Sequence, residues 1–122
     1  MPIVDVQVVC KRSSQIRSVS AQAIADALGQ VFGSAPGRTW VRTHAMLDVM
    51  YAENGVRLKS EELPAFVTVL HAHLPSGAEL ATEVQAITAA VATCIGRPIE
   101  RVHVQYSPAG AGRQAFGGKL IV

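Results

Sequence analysis

With 122 residues, 49% of them hydrophobic and 16% charged, the chain is long enough to bury a real core and too apolar to be disordered. A net charge of +2, with no Lys/Arg cluster interleaved with aromatics, gives no sign of a nucleic acid or an anionic membrane as partner. No apolar run approaches the roughly 20 residues of a membrane span, and Asp5 interrupts the opening apolar stretch, unlike a secretory signal.

The chain opens "MPIVDVQVV". Val4, Val6 and Val8 alternate with Asp5 and Gln7, the pattern of a half-buried strand. Proline is tolerated at the first residue of a strand. If Met1 is removed, Pro2 also becomes a free secondary amine. A helix is expected next. Ile16, Val19, Ala23, Ile24, Ala27, Leu28 and Val31 fall at helical spacing, with Ser13 or Ser14 as N-cap and Gly33 at the end. Pro36 and a second strand, "TWVRTHAM", follow. "YAENG" has turn chemistry, and the polar stretch "NGVRLKSEEL" reads as a linker.

The same order then repeats. Placing Pro2 over Pro64, 62 positions on, lays "PIVDVQVV" over "PAFVTVLH". The second strand is apolar on both faces, as a central strand is. Ser76 with Glu79 forms a capping-box pattern, and Leu80, Val84, Ile87, Val91 and Ile95 keep helical spacing. Gly96, Pro98 and the strand "RVHVQY" close the unit. The chain is therefore expected to be one α+β domain of two β-α-β repeats, about 1–55 and 64–122, joined by a linker over 56–63. Strand–helix–strand units imply parallel pairing and right-handed crossovers. Two of them merge into a four-stranded sheet in two layers, with both helices on one face. The other face calls for a second copy, hence a homo-oligomer. Cys10 and Cys94 have no metal-ligand spacing and suit reduced core residues of a cytoplasmic protein.

These segments resemble the tautomerase superfamily, typified by 4-oxalocrotonate tautomerase. "MPIVDVQVVCKRS" resembles the family's opening, with the catalytic proline and an arginine ten residues later, here Arg12. "WVRTH" resembles the second strand with its substrate-binding arginine, here Arg42, and "YAENG" and "FGGKLIV" resemble the closing hairpins. The chain resembles a fused, double-length member. The resemblance implies a homotrimer and a cofactor-free keto–enol isomerase with no metal. It also implies small enols of 2-oxo acids as substrates, such as 2-hydroxymuconate-like dienols from aromatic catabolism.

The residues fit that chemistry. An α-amino group has an ordinary pKa of about 7.7–8, which burial and nearby arginine lower. A neutral Pro2 amine is then a general base able to move a proton between oxygen and carbon. Arginine binds carboxylate bidentately and stabilises a developing enolate, the roles expected of Arg12 and Arg42. The second unit has Leu74 at the Arg12 position, and His103 (by motif) or Val104 (by strict offset) at the Arg42 position, so only the first unit is expected to be catalytic. Trp40 shares a strand face with Arg42, and Tyr51 falls where the family has a phenylalanine near the proline. Glu53, followed by Asn54, resembles the glutamate of the family's chloroacrylate dehalogenase branch. That keeps a second reading open: a hydratase or dehalogenase in which Glu53 activates water. A third is a non-catalytic trimeric binding module. Arg113, in the glycine-rich "AGAGRQAFGG" hairpin, is placed to approach a neighbouring subunit's site. His71 and His73 read as half-buried strand residues rather than a metal pair.

Overall fold

The computed structural model describes residues 1–12 and 19–122. The elements are β1 (Ile3–Cys10), α1 (Ala21–Phe32), β2 (Trp40–Leu47), β3 (Ala65–Leu70), α2 (Gly77–Ile95), β4 (Val102–Tyr106) and a short hairpin, β5 (Ala115–Phe116) and β6 (Lys119–Leu120). The main sheet has the order β2-β1-β3-β4. β1 runs parallel to β2 and β3 parallel to β4, while β1 and β3 meet antiparallel, with Val6 opposite Val67. This is the mixed four-stranded, two-helix arrangement expected of tandem β-α-β units.

Alternation builds the core. Val4, Val6 and Val8 of β1 and Ala65, Val67 and Val69 of β3 all turn to one face and are buried against Ile24 and Leu28 of α1 and Ile87 and Val91 of α2. Both helices therefore cover the same face. The opposite face carries Asp5, Gln7, Arg42, His44, Phe66, Thr68, His103 and Gln105, half-buried or exposed.

Three local readings change. First, α1 begins at Ala21, and its N-cap is Ser20, whose hydroxyl accepts from the Ala23 amide at 3.0 Å. Val19 stands outside the helix, and the Ser13 and Ser14 cap candidates and Ile16 lie outside the described residues. Second, Ser76 is the N-cap of α2 but makes no side-chain capping bond. Third, the 62-residue offset puts the two units out of phase. Side-chain direction has a period of two, so an even shift must be judged against facing. The inward residues are even-numbered in β1 and odd-numbered in β3. Pro2 and Pro64 are thus not equivalent, and outward Arg42 matches outward His103, since Val104 packs on the core.

Glycine ends both helices in the left-handed region, Gly33 at φ 63° and Gly96 at φ 67°. The hairpin expected at "YAENG" is a two-residue turn with a bridge from Glu53 to Val56, and "FGGKL" turns through Gly117 and Gly118, both at positive φ. The 19-residue α2 is, by length and composition, apolar enough to cross a membrane, which the sequence reading had not expected. Its Ile87, Val91 and Ala92 pack on the sheet.

Candidate active site

Pro2 is buried at the head of β1. Its carbonyl accepts the Trp40 amide at 3.1 Å, which fixes Pro2 to the start of β2. Trp40 in turn donates its indole N–H to the Gly37 carbonyl at 3.0 Å. Its ring meets Phe116 edge to face, with centroids 4.7 Å apart. The C-terminal hairpin thereby reaches back to the N-terminal corner. Arg38 places Nη1 3.2 Å from the Met1 sulfur. The corner around the first two residues is thus built from Trp40, Phe116 and a guanidinium. Trp40 was anticipated from the sequence. Phe116 and Arg38 were not, because only folding brings residues 38 and 116 to residue 1.

Arg42 lies two residues further along β2, opposite Asp5. It donates from Nε and Nη2 to the two carboxylate oxygens at 2.7 and 2.9 Å. His44 stands 3.5 Å from the same carboxylate. The Arg42 hydrogen bond, the largest influence, holds the Asp5 carboxyl below its ordinary pKa, and Asp5 raises that of Arg42. Arg42 is exposed and accessible from the open face, but two of its donors are already engaged.

Arg12 is exposed just beyond the far end of β1 from Pro2. The strand's eight residues span roughly 25 Å at ~3.3 Å each. Tyr51, Glu53 and Asn54 lie at that far end too, after β2. Glu53 Oε2 accepts from Tyr51 Oη and from Arg101 Nη2, both at 2.6 Å. The Tyr51 hydroxyl first, then Arg101, hold the Glu53 carboxyl below its ordinary range, while burial pushes the Tyr51 phenol up. Tyr51 also packs on Phe66, which meets His103. Arg101 is a third residue the sequence did not single out. Asn54 is exposed in the turn.

A third cluster joins the two layers. His71 lies just past the end of β3, not on a strand face with His73. Its Nε2 is 3.0 Å from Glu83 Oε2, which also accepts from Tyr106 Oη at 2.7 Å. Among the described residues no group of His, Cys, Asp and Glu is arranged to hold a metal ion. Arg113 lines a cavity beside Leu70, in the loop after β4.

So the chain gathers Pro2 with Trp40, and Tyr51 with Glu53, but at opposite ends of the sheet. Arg12 lies at the second end, and Arg42 lies on the open face between them.

Comparison with solved structures gives the fold a family setting. A wild-type fused 4-oxalocrotonate tautomerase (4-OT), a symmetric trimer, superposes with a TM-score of 0.73 at 16% identity over 97% of this chain and 94% of that one. A macrophage migration inhibitory factor homologue from Prochlorococcus marinus gives 0.70 at 14% identity, covering 98% of this chain and 99% of that one. The malonate semialdehyde decarboxylase FG41, inhibited by 3-bromopropiolate, gives 0.65 at 21% identity over 94% and 90%. The chain has the fold of the tautomerase superfamily in its double-length form. No protein-family model matches the sequence, and no curated protein does.

Proposed function

We propose that this chain, with its tautomerase-superfamily fold, is a cofactor-independent keto–enol tautomerase for small 2-hydroxy-dienoate or 2-oxo acid enols. Pro2, once Met1 is removed, is the general base. The observation that carries the reading is the seating of Pro2: it is buried, and its carbonyl is held by the Trp40 amide. Removing Met1 would leave a secondary amine at a buried position. Burial disfavours the ammonium form, which favours the neutral, basic amine. It takes a proton from the enol hydroxyl, and the resulting ammonium returns one to carbon as the carbonyl forms. A guanidinium holds the substrate carboxylate and draws charge toward it as the enolate develops.

The reading includes a homotrimer. Arg12, Tyr51 and Glu53 lie at the end of the sheet away from Pro2, so they reach a Pro2 only from another copy. The unpaired thiols of Cys10 and Cys94 fit a reducing cytoplasm, which belongs to the same proposal. Water addition by Glu53 fits less well. One of its oxygens already accepts two hydrogen bonds, and both hold the carboxylate in its weakly basic form.

The test is the intact mass of the native protein, paired with ketonisation of 2-hydroxymuconate by wild type and Pro2→Ala. A mass lacking Met1, with ketonisation lost in the variant, supports the reading. Retained Met1, or a fully active variant, refutes it.

A further inference from the structure

A cavity of about 500 Å³ lies between one face of α1 and the loop that leads into β2. Gln22, Asp26 and Gln30 line it from the helix, and Ser34 and Thr39 line it from the loop. Its walls are held in place from within. Gln22 Nε2 donates to Asp26 Oδ1 at 2.9 Å, one helical turn on, and the Thr39 hydroxyl donates to Ser34 Oγ at 2.7 Å. The Ser34 amide ties the loop to the helix end by donating to the Gly29 carbonyl at 2.9 Å. Further on, the Arg38 amide donates to the Ala35 carbonyl at 3.1 Å, and the Trp40 indole N–H donates to the Gly37 carbonyl at 3.0 Å.

The floor of the cavity adds an independent sign. Gly29 sits inside α1 and lines the cavity. Glycine inside a helix costs stability relative to alanine, so its place there calls for a reason. Packing gives none, since an added Cβ would meet nothing within 4 Å. Backbone conformation gives none, since Gly29 is not among the glycines at positive φ. The missing Cβ keeps the floor open.

The lining selects a kind of ligand. Asp26 is, among the described residues, its one charged group. An anion would meet that carboxylate, so the cavity differs in kind from a site for an acidic substrate. The carboxylate only accepts, whereas the carboxamides of Gln22 and Gln30 and the hydroxyls of Ser34 and Thr39 both donate and accept. An ammonium ligand offers donors alone and leaves the amide and hydroxyl donors unanswered. A ligand with several hydroxyl groups answers both kinds at once. Its C–H face fits the small apolar surface of Ala25, Gly29 and Pro36.

We propose that this cavity binds a neutral polyhydroxylated ligand of monosaccharide size, with Gln22 and Asp26 taking neighbouring hydroxyls and Gly29 leaving room for the ring. The site is built within one chain and stands whether or not Pro2 is a base.

The probes are D-glucose, D-galactose, D-mannose and myo-inositol, with ethylammonium and acetate as charged controls, each titrated into the ¹⁵N-labelled native protein. At least one polyol is expected to shift the side-chain NH2 signals of Gln22 and Gln30 saturably, and neither control is. Asp26→Asn is expected to weaken that binding about tenfold, the loss of a charged acceptor. Gly29→Ala should raise Tm by about 3 °C, as for a helix glycine that the fold does not need. Gly29→Gln, which restores helix propensity and fills the cavity, should melt no lower than wild type and weaken polyol binding about tenfold or more. Signals unmoved by all four polyols would overturn the proposal, as would ethylammonium binding as well as the best polyol, or unchanged binding in Gly29→Gln. So would a Gly29→Ala protein that melts lower, because the glycine would then serve the fold.

Discussion

Arg42 spends two of its donors on Asp5, at 2.7 and 2.9 Å, across the parallel β1–β2 pair. The arginine that the sequence marks for a substrate carboxylate already holds one. Asp5→Asn should therefore lower KM for an acidic substrate, because the internal competitor is neutralised, while Arg42→Ala should raise KM several-fold. Steady-state ketonisation kinetics on both variants check this.

The same pair has a pH signature. Asp5 titrates below its ordinary value because Arg42 hydrogen-bonds its ionised form. A carboxyl with a depressed folded pKa stabilises the fold above its unfolded pKa, and this contribution is lost as pH falls through the folded value. In Arg42→Ala the Asp5 carboxyl should titrate at higher pH. A ¹³C carboxyl titration by NMR measures it directly.

Tyr106 works in the opposite sense. Burial first, and then the hydrogen bond it donates to Glu83, push its phenol above the usual range. A group with a raised folded pKa stabilises the fold below its unfolded pKa, about 10 for tyrosine, and loses that contribution as pH rises through the folded value. Phenolate absorbance of Tyr106 should appear only well above pH ~10. Glu83→Gln should bring it down part of the way, with burial still holding it high.

Leu28 tests the core. It is fully buried between α1 and the sheet. Leu28→Ala should cost about 2–5 kcal/mol, the transfer term plus the cavity it leaves. Urea unfolding with an unchanged m-value reads the difference.

The architecture was legible because period-2 and helical spacings are written locally. Val4, Val6 and Val8 announce an inward strand face, and Gly33 and Gly96 announce two helix ends. The phase between the repeats was not legible. Two prolines 62 apart look equivalent in a string, and only the facing of β3 shows that they are not. The α1 start was misplaced because serines are plentiful there, and any of them can cap. Site residues divide the same way. Trp40, Arg42 and Glu53 stand in recognisable segments. Arg38, Arg101 and Phe116 carry no local signal, since each matters only for what the fold sets beside it: the Met1 sulfur, Glu53 and the Trp40 ring. That Arg42 would already hold a carboxylate could not be read from Asp5, 37 residues earlier.

The proposed chemistry requires the Pro2 nitrogen to be a free, neutral amine. A pH titration of ¹⁵N-proline-labelled protein tests it most directly. Only an N-terminal proline among the six can titrate. One proline nitrogen is expected to do so, with a pKa below the ordinary α-amino value of about 7.7, matching the acidic limb of the ketonisation rate. Six amide-like nitrogens that stay fixed across the pH range, or an amine whose pKa bears no relation to the rate, would contradict it.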